Sequence, residues 1–248
     1  MYIGELMENL FKTNMIKLIS IFILFVLMNV SCLTKINHNL FRFNSHHRQK
    51  LENFVFLLSI LNKDEQSVPD STASGFVFKK DKENIYIMTA NHFCNPSQYF
   101  LSEDNNRTFA AFNKNEAREI EIEYYDKEND ICVLKGKRRE NDSFFDIKIA
   151  RSMPNIGDKV YNVAAPKGIS APDVILLFDG YFGGCNNTYS GCLFTIPATF
   201  GSSGSAVYNS KGEVISIIVS SYQSFSNISM GPHVNMIKGI NNYENLHR

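Results

Sequence analysis

The feature that most constrains this chain is a series of short apolar, β-branched and aromatic runs between turn residues. They fall at residues 54–61, 75–78, 85–89, 120–125, 131–134, 160–164, 174–178, 193–196, 206–208 and 214–222. Runs of this length bounded by Gly, Pro, Asn and Asp are expected of strands. Residues 119–124 alternate polar and apolar side chains, as a half-buried strand does. No long amphipathic helix separates the runs, so the chain is expected to be all-β, a sandwich or a barrel. One helix is expected near the end, over residues 235–246. The loop at 152–158, with Pro154 and Gly157, is the natural boundary between two halves.

The first residues read differently. Residues 18–28, LISIFILFVLM, carry only one polar side chain, with Lys12 and Lys17 before them and Ser31-Cys32 after. A basic flank, a short apolar run and a small residue at its end describe a secretory signal. The run is short for a bilayer span, which needs about 20 apolar residues. Ser31-Cys32 also resembles the end of a bacterial lipoprotein signal, with Cys32 as the lipid-bearing residue. Asn29 stands where that pattern has a large aliphatic side chain. Residues 1–32 are therefore read as a signal peptide or a membrane or lipid anchor, and 33–52 as a polar linker. An exported protein follows: secreted, periplasmic or anchored facing outward. His38, His46 and His47 in the linker have no Cys or carboxylate at ligand spacing, so no metal site is expected. The chain has 25 Lys plus Arg and 25 Asp plus Glu. That neutral balance gives no support for a nucleic-acid partner.

Three local patterns carry chemistry. Met88-Thr89-Ala90-Asn91-His92-Phe93-Cys94 follows an apolar run and places an imidazole at a strand exit. Asn129-Asp130-Ile131-Cys132-Val133-Leu134 opens an apolar run with a carboxylate. Thr199-Phe200-Gly201-Ser202-Ser203-Gly204-Ser205 brackets serines with glycines before another run. A glycine-rich loop of that kind can turn its backbone N–H groups toward one point.

Together these patterns resemble the trypsin-like serine proteases, in their order His, Asp, Ser as well as in their residues. The separations, 38 from His92 to Asp130 and 73 from Asp130 to Ser203, are similar to the compact HtrA-type and glutamyl endopeptidase branch, here without a PDZ domain. Ser74-Gly75-Phe76-Val77, Val163-Ala164-Ala165-Pro166-Lys167-Gly168 and Gly212-Glu213-Val214-Ile215 extend the resemblance. It implies two six-stranded antiparallel β-barrels of the chymotrypsin kind with a short C-terminal helix, within 53–248. Barrel one would span about 53–150 and barrel two about 155–235. It implies His92 as base, Asp130 as the acid that orients it and Ser203 as nucleophile. Gly201 and Ser203 would supply the oxyanion-binding N–H groups. Pro197 and Ala198 would form the base of the primary pocket and Ser220 and Ser221 its wall. With no acid or base among them, that pocket suits small or apolar side chains. Polypeptides are the implied substrates and no cofactor is needed.

The rival nucleophile is Ser205, disfavoured because the family pattern places the serine directly before Gly204. An α/β-hydrolase needs the order Ser, acid, His and a helix after the serine; here no Asp follows Ser203, the only acids after it are Glu213 and Glu244, and β-branched runs follow in place of a helix. A protease-fold binding protein without activity is the alternative function. Of the five cysteines, Cys185 and Cys192 flank a polar loop they could close. Cys94 and Cys132 follow the implied base and acid, in segments that would be neighbours. Free thiols are the other reading of all four, since pairing is not legible in sequence.

Overall fold

The computed structural model describes residues 50–63, 66–95, 107–113, 116–170, 174–186, 191–222 and 224–241. The apolar run at 18–28, Cys32 and the linker histidines lie outside them.

Six antiparallel strands close a barrel: β1 (Phe54–Lys63), β2 (Gln66–Lys80), β3 (Asn84–Ala90), β4 (Arg107–Asn113), β5 (Glu116–Asp126) and β6 (Ile131–Lys137). Their order around it is β1-β2-β3-β6-β5-β4. The alternation in β5 is a pleat, with Arg118 and Ile120 buried and Glu119 and Glu121 exposed. In contrast, Ile85–Met88 of β3 and Ile131–Leu134 of β6 are unbroken apolar runs because both their faces are covered. Ile85, Ile87, Cys132 and Leu134 fill the barrel. Tyr86, Met88, Ile131 and Val133 face outward into a second cluster with Ala206, Tyr208 and Ile217.

That second cluster joins the barrel to a seven-stranded sheet made of β7 (Lys159–Ala164), β8 (Leu176–Asn186), β9 (Gly191–Phe194), β10 (Ala206–Tyr208), β11 (Val214–Ile217), β12 (Ser220–Tyr222) and β13 (Phe225–Gly231). Its order is β11-β10-β7-β8-β9-β13-β12. Beside the closed first barrel and with few helices, this second sheet completes the all-β, chymotrypsin-like architecture the resemblance implied. The two end strands, β11 and β12, are separated in the chain only by Ile218 and Val219. The Ile218 N–H donates to Ser205 O on one side, and Val219 N–H to Met230 O on the other (both 2.9 Å). A single bent strand therefore serves both ends, and the sheet curls around a core that includes Val160, Phe182, Phe194, Ile196, Val207 and Ile215. Helix α1 is the single turn Asn91–Cys94, and α2 spans Val234–Asn241. In α2, Val234, Ile237 and Ile240 are buried at helical spacing. It starts one residue before the expected helix, whose last residues, 242–246, lie outside the described part.

Candidate functional site

The inter-sheet cluster sets the site, because β3, β6 and β10 all contribute to it and each adjoins one of the three sequence patterns. His92 lies in α1, just past β3. Asp130 immediately precedes β6. Ser203 lies in the turn before β10.

Asp130 holds the histidine at two points. The His92 backbone N–H donates to Asp130 Oδ1 at 2.8 Å, and His92 Nδ1 lies 2.7 Å from Asp130 Oδ2. The Asn91 N–H also donates to the Asp130 carbonyl, at 3.1 Å. A carboxylate can only accept, so the proton of a neutral imidazole sits on Nδ1 and Nε2 is the basic nitrogen. The side chains are 29% and 16% exposed, partly shielded yet reachable. Asp130 reaches this position through a left-handed backbone, φ 54, a conformation Asp tolerates better than most residues. The turn before it is built by Asp126, whose Oδ1 accepts from the N–H groups of Glu128 (3.0 Å) and Asn129 (3.1 Å).

A disulfide clamps the same two segments. Cys94 and Cys132 are bonded, with Cα atoms 6.6 Å apart, each two residues beyond His92 and Asp130. Cys185 and Cys192 form a second bridge, directly opposite each other across β8 and β9. Both pairs considered from the sequence are bonded, and the free-thiol reading is set aside.

The serine turn is shaped by two glycines with left-handed backbones, Gly201 (φ 86) and Gly204 (φ 83). A Cβ on Gly204 would lie 2.1 Å from Thr89 Oγ1 and 2.3 Å from Ser74 O. No side chain fits there, and the serine turn is thereby packed on the end of β3, three residues from His92. A Cβ on Gly201 would meet Ala165 O at 2.5 Å. Within the turn, Ser202 N–H donates to Thr199 O, Gly204 N–H to Ile218 O and Ser205 N–H to Ser202 O. Among the described residues the N–H groups of Gly201 and Ser203 have no such acceptor.

Ser203 is half-buried. Ser205 is fully buried, donates to Ser202 O at 2.7 Å and accepts from Asn162 Nδ2 at 2.8 Å. Its hydroxyl is committed on both sides, whereas Ser203 is the more exposed of the two serines.

The trypsin-like peptidase domain family profile matches residues 73–217. The chain belongs to that family. A crystal structure of a serine endoprotease from Yersinia pestis aligns with TM-score 0.62 at 19% identity, over 79% of this chain. The match covers 64% of that protein's chain. At this identity the likeness is one of fold. A search of curated proteins finds no matching sequence.

In this trypsin-like domain the implied pocket residues flank one strand. The Ala198 N–H donates to Ser226 O at 2.9 Å, which sets residues 197–198 against β13. On the strand's other side, Ser220 and Ser221 pair with Met230 and Ser229. Gly231 lets the chain approach closely there, since a Cβ would fall 1.9 Å from Ile217 O.

Sequence reasoning missed Ser74. Its N–H donates to Ser203 O at 2.8 Å, its hydroxyl donates to Gly201 O at 2.7 Å and accepts from Ala165 N at 2.9 Å. Its carbonyl accepts from Thr89 Oγ1 at 2.8 Å. One buried serine of the barrel thus braces the serine turn. The only local signal was its place in the Ser74-Gly75-Phe76-Val77 segment.

Proposed function

We propose that this chain is a serine endopeptidase in which His92, Asp130 and Ser203 act as a triad on polypeptide substrates. The observation that carries the reading is the two-point hold of Asp130 on His92, with Nδ1 2.7 Å from the carboxylate, on the strand end against which the Ser203 turn packs. His92 Nε2 takes the Ser203 proton as Oγ attacks the scissile carbonyl. The N–H groups of Gly201 and Ser203 hold the developing oxyanion. One such donor contributes about 3 kcal/mol in measured cases. His92 then protonates the leaving amine, and water hydrolyses the acyl ester by the same route in reverse. Pro197, Ala198, Ser220 and Ser221 form an uncharged primary pocket that favours small or apolar side chains.

The two disulfides fit an oxidising compartment. The protein is exported, and residues 1–32 serve as its signal or its tether. No helix among the described residues is long and apolar enough to cross a membrane.

The test is fluorophosphonate labelling of the full-length protein beside Ser203→Ala, His92→Ala and Ser205→Ala. Labelling is expected to vanish with Ser203→Ala, to slow at least about 1000-fold with His92→Ala, and to survive Ser205→Ala. Absence of labelling in the folded wild type would favour a binding protein on a protease fold. Labelling lost only with Ser205→Ala would move the nucleophile.

A further inference from the structure

Two non-glycine residues among those described have left-handed backbones, Asp130 (φ 54) and Lys167 (φ 53). Asp130 has a reason, since it holds His92. Lys167 needs one too, because a lysine in this region is disfavoured by roughly 1 kcal/mol or more. Its conformation is kept by the serine turn: the Lys167 N–H donates to Phe200 O at 2.5 Å, and Gly168 N–H to Ala165 O at 3.0 Å. Beneath them Gly201 is wedged, with Cβ room closed by Ala165 O at 2.5 Å and by the Lys167 and Gly168 nitrogens at 3.0 Å.

This pinned backbone presents two unusual side chains to solvent. Phe200 is 88% exposed, the most exposed large apolar side chain among the described residues. Lys167 is exposed, and its ammonium has no carboxylate within ion-pair distance among the described residues. Ile169 beside it is 53% exposed. A rigid, solvated aromatic joined by a hydrogen bond to a segment with an unpaired cation is arranged for a ligand rather than for the fold.

We infer that Lys167 and Phe200 form a recognition platform selecting polypeptides with an acidic residue next to an apolar one on the leaving-group side of the scissile bond. The inference rests on the endopeptidase reading, which supplies the direction. Gly201 stands between the implied pocket at Pro197–Ala198 and the segment at 165–169. A chain whose side chain enters the pocket, with its carbonyl oxygen at the Gly201 and Ser203 N–H groups, leaves the site across Phe200 and Lys167. Lys167 then meets a carboxylate, and Phe200 with Ile169 covers the neighbouring apolar side chain.

The experiment uses quenched-fluorescence peptides identical on the acyl side, with Glu, Ala or Lys followed by Leu after the scissile bond. Hydrolysis is measured with full-length wild type, Lys167→Asp, Lys167→Gly and Phe200→Ala. Asp and Gly suit the left-handed backbone, so charge is changed without added strain. Binding of the same peptides to the Ser203→Ala protein, with and without the Lys167 changes, is read by anisotropy. The wild type is expected to prefer Glu over Lys about threefold to tenfold in kcat/KM, less at high salt. Lys167→Gly should level that preference and Lys167→Asp invert it. Phe200→Ala should lower kcat/KM several-fold for every peptide carrying the Leu. An unchanged preference in a folded, fluorophosphonate-reactive Lys167→Asp overturns the inference, as does selectivity for acids only on the acyl side. Without labelling or hydrolysis the endopeptidase reading fails. The binding series still decides this one: tighter Glu-peptide binding that Lys167→Asp reverses supports it, and equal binding overturns it.

Discussion

Replacing Ser74 by Ala removes one oxygen and no carbon, so its effect isolates the brace under the serine turn. Ser74 is fully buried, as is Ala165, and Gly201 is buried beside them. The hydroxyl accepts from Ala165 N and donates to Gly201 O, and no other partner for either is present among the described residues. Ser74→Ala therefore leaves one buried N–H and one buried C=O unsatisfied. Each such group costs about 1–3 kcal/mol, so the variant should lose about 2–6 kcal/mol of stability. For a domain of this size that is roughly a 10 °C fall in Tm. The second consequence is local. Gly201 O is one of two points that hold the 201–202 peptide, beside the Ser202 N–H bond to Thr199 O, and freeing it loosens the turn between the Gly201 and Ser203 N–H groups. On the proposed oxyanion role of the Gly201 N–H, its partial displacement should slow fluorophosphonate labelling of Ser203 by about tenfold, below the 100-fold or more of full removal. Urea denaturation and labelling kinetics on the same preparations measure both. Ser67→Ala is the control, because Ser67 makes only an exposed bond to Asn62 Oδ1 and should change stability by less than about 0.5 kcal/mol. Should Ser74→Ala match that control in both assays, the brace does not position the turn.

The two disulfides should differ in value. Cys94–Cys132 closes a sequence separation of 38 and Cys185–Cys192 one of 7, so loop entropy predicts losses of about 4 and about 2.5 kcal/mol when each pair is changed to Ala. Denaturation midpoints showing the reverse order would contradict the entropic account. Arg118 and Asp142 form a bidentate pair at 2.8 and 2.6 Å with both side chains 5% exposed, and Arg118→Met should cost about 3 kcal/mol through the buried carboxylate left behind. Burial pushes the Asp142 carboxyl up, but hydrogen bonds from Arg118 and from the Arg139 N–H outweigh it, and the net direction is downward. The folded state therefore binds that proton less readily than the unfolded chain. The pair's contribution is complete above the ordinary carboxylate value of about 4 and is lost as pH falls through the lower folded value. Stability measured against pH should show this slope in the wild type and a shallower one in Asp142→Asn.

Much of the architecture was legible because strands and turns write themselves locally. The alternation at 119–124 is the pleat of β5, and the unbroken apolar runs at 85–89 and 131–134 mark strands covered on both faces. The His92, Asp130 and Ser203 segments stood out for the same reason, since each is a strand end with a polar residue at its tip. Other features depend on residues far apart in the chain. That Ser205 is a buried structural serine depends on Asn162, 43 positions away. Ser74 braces a turn 127 positions away, and nothing in its own neighbourhood encodes that bond. Lys167 reads as an ordinary loop cation until its left-handed backbone and its link to Phe200 are seen. The second barrel was expected, but the way its sheet curls, with one strand bending at Ile218–Val219 to serve both edges, emerges only in the packed structure. The sequence by itself thus determined the strand character, the turn glycines and the order of the chemical groups, because pleat period and backbone preference are local. Tertiary structure decided which serine is buried, which cysteines pair and what supports the turn, because burial and hydrogen-bond partners exist only once distant strands are packed together.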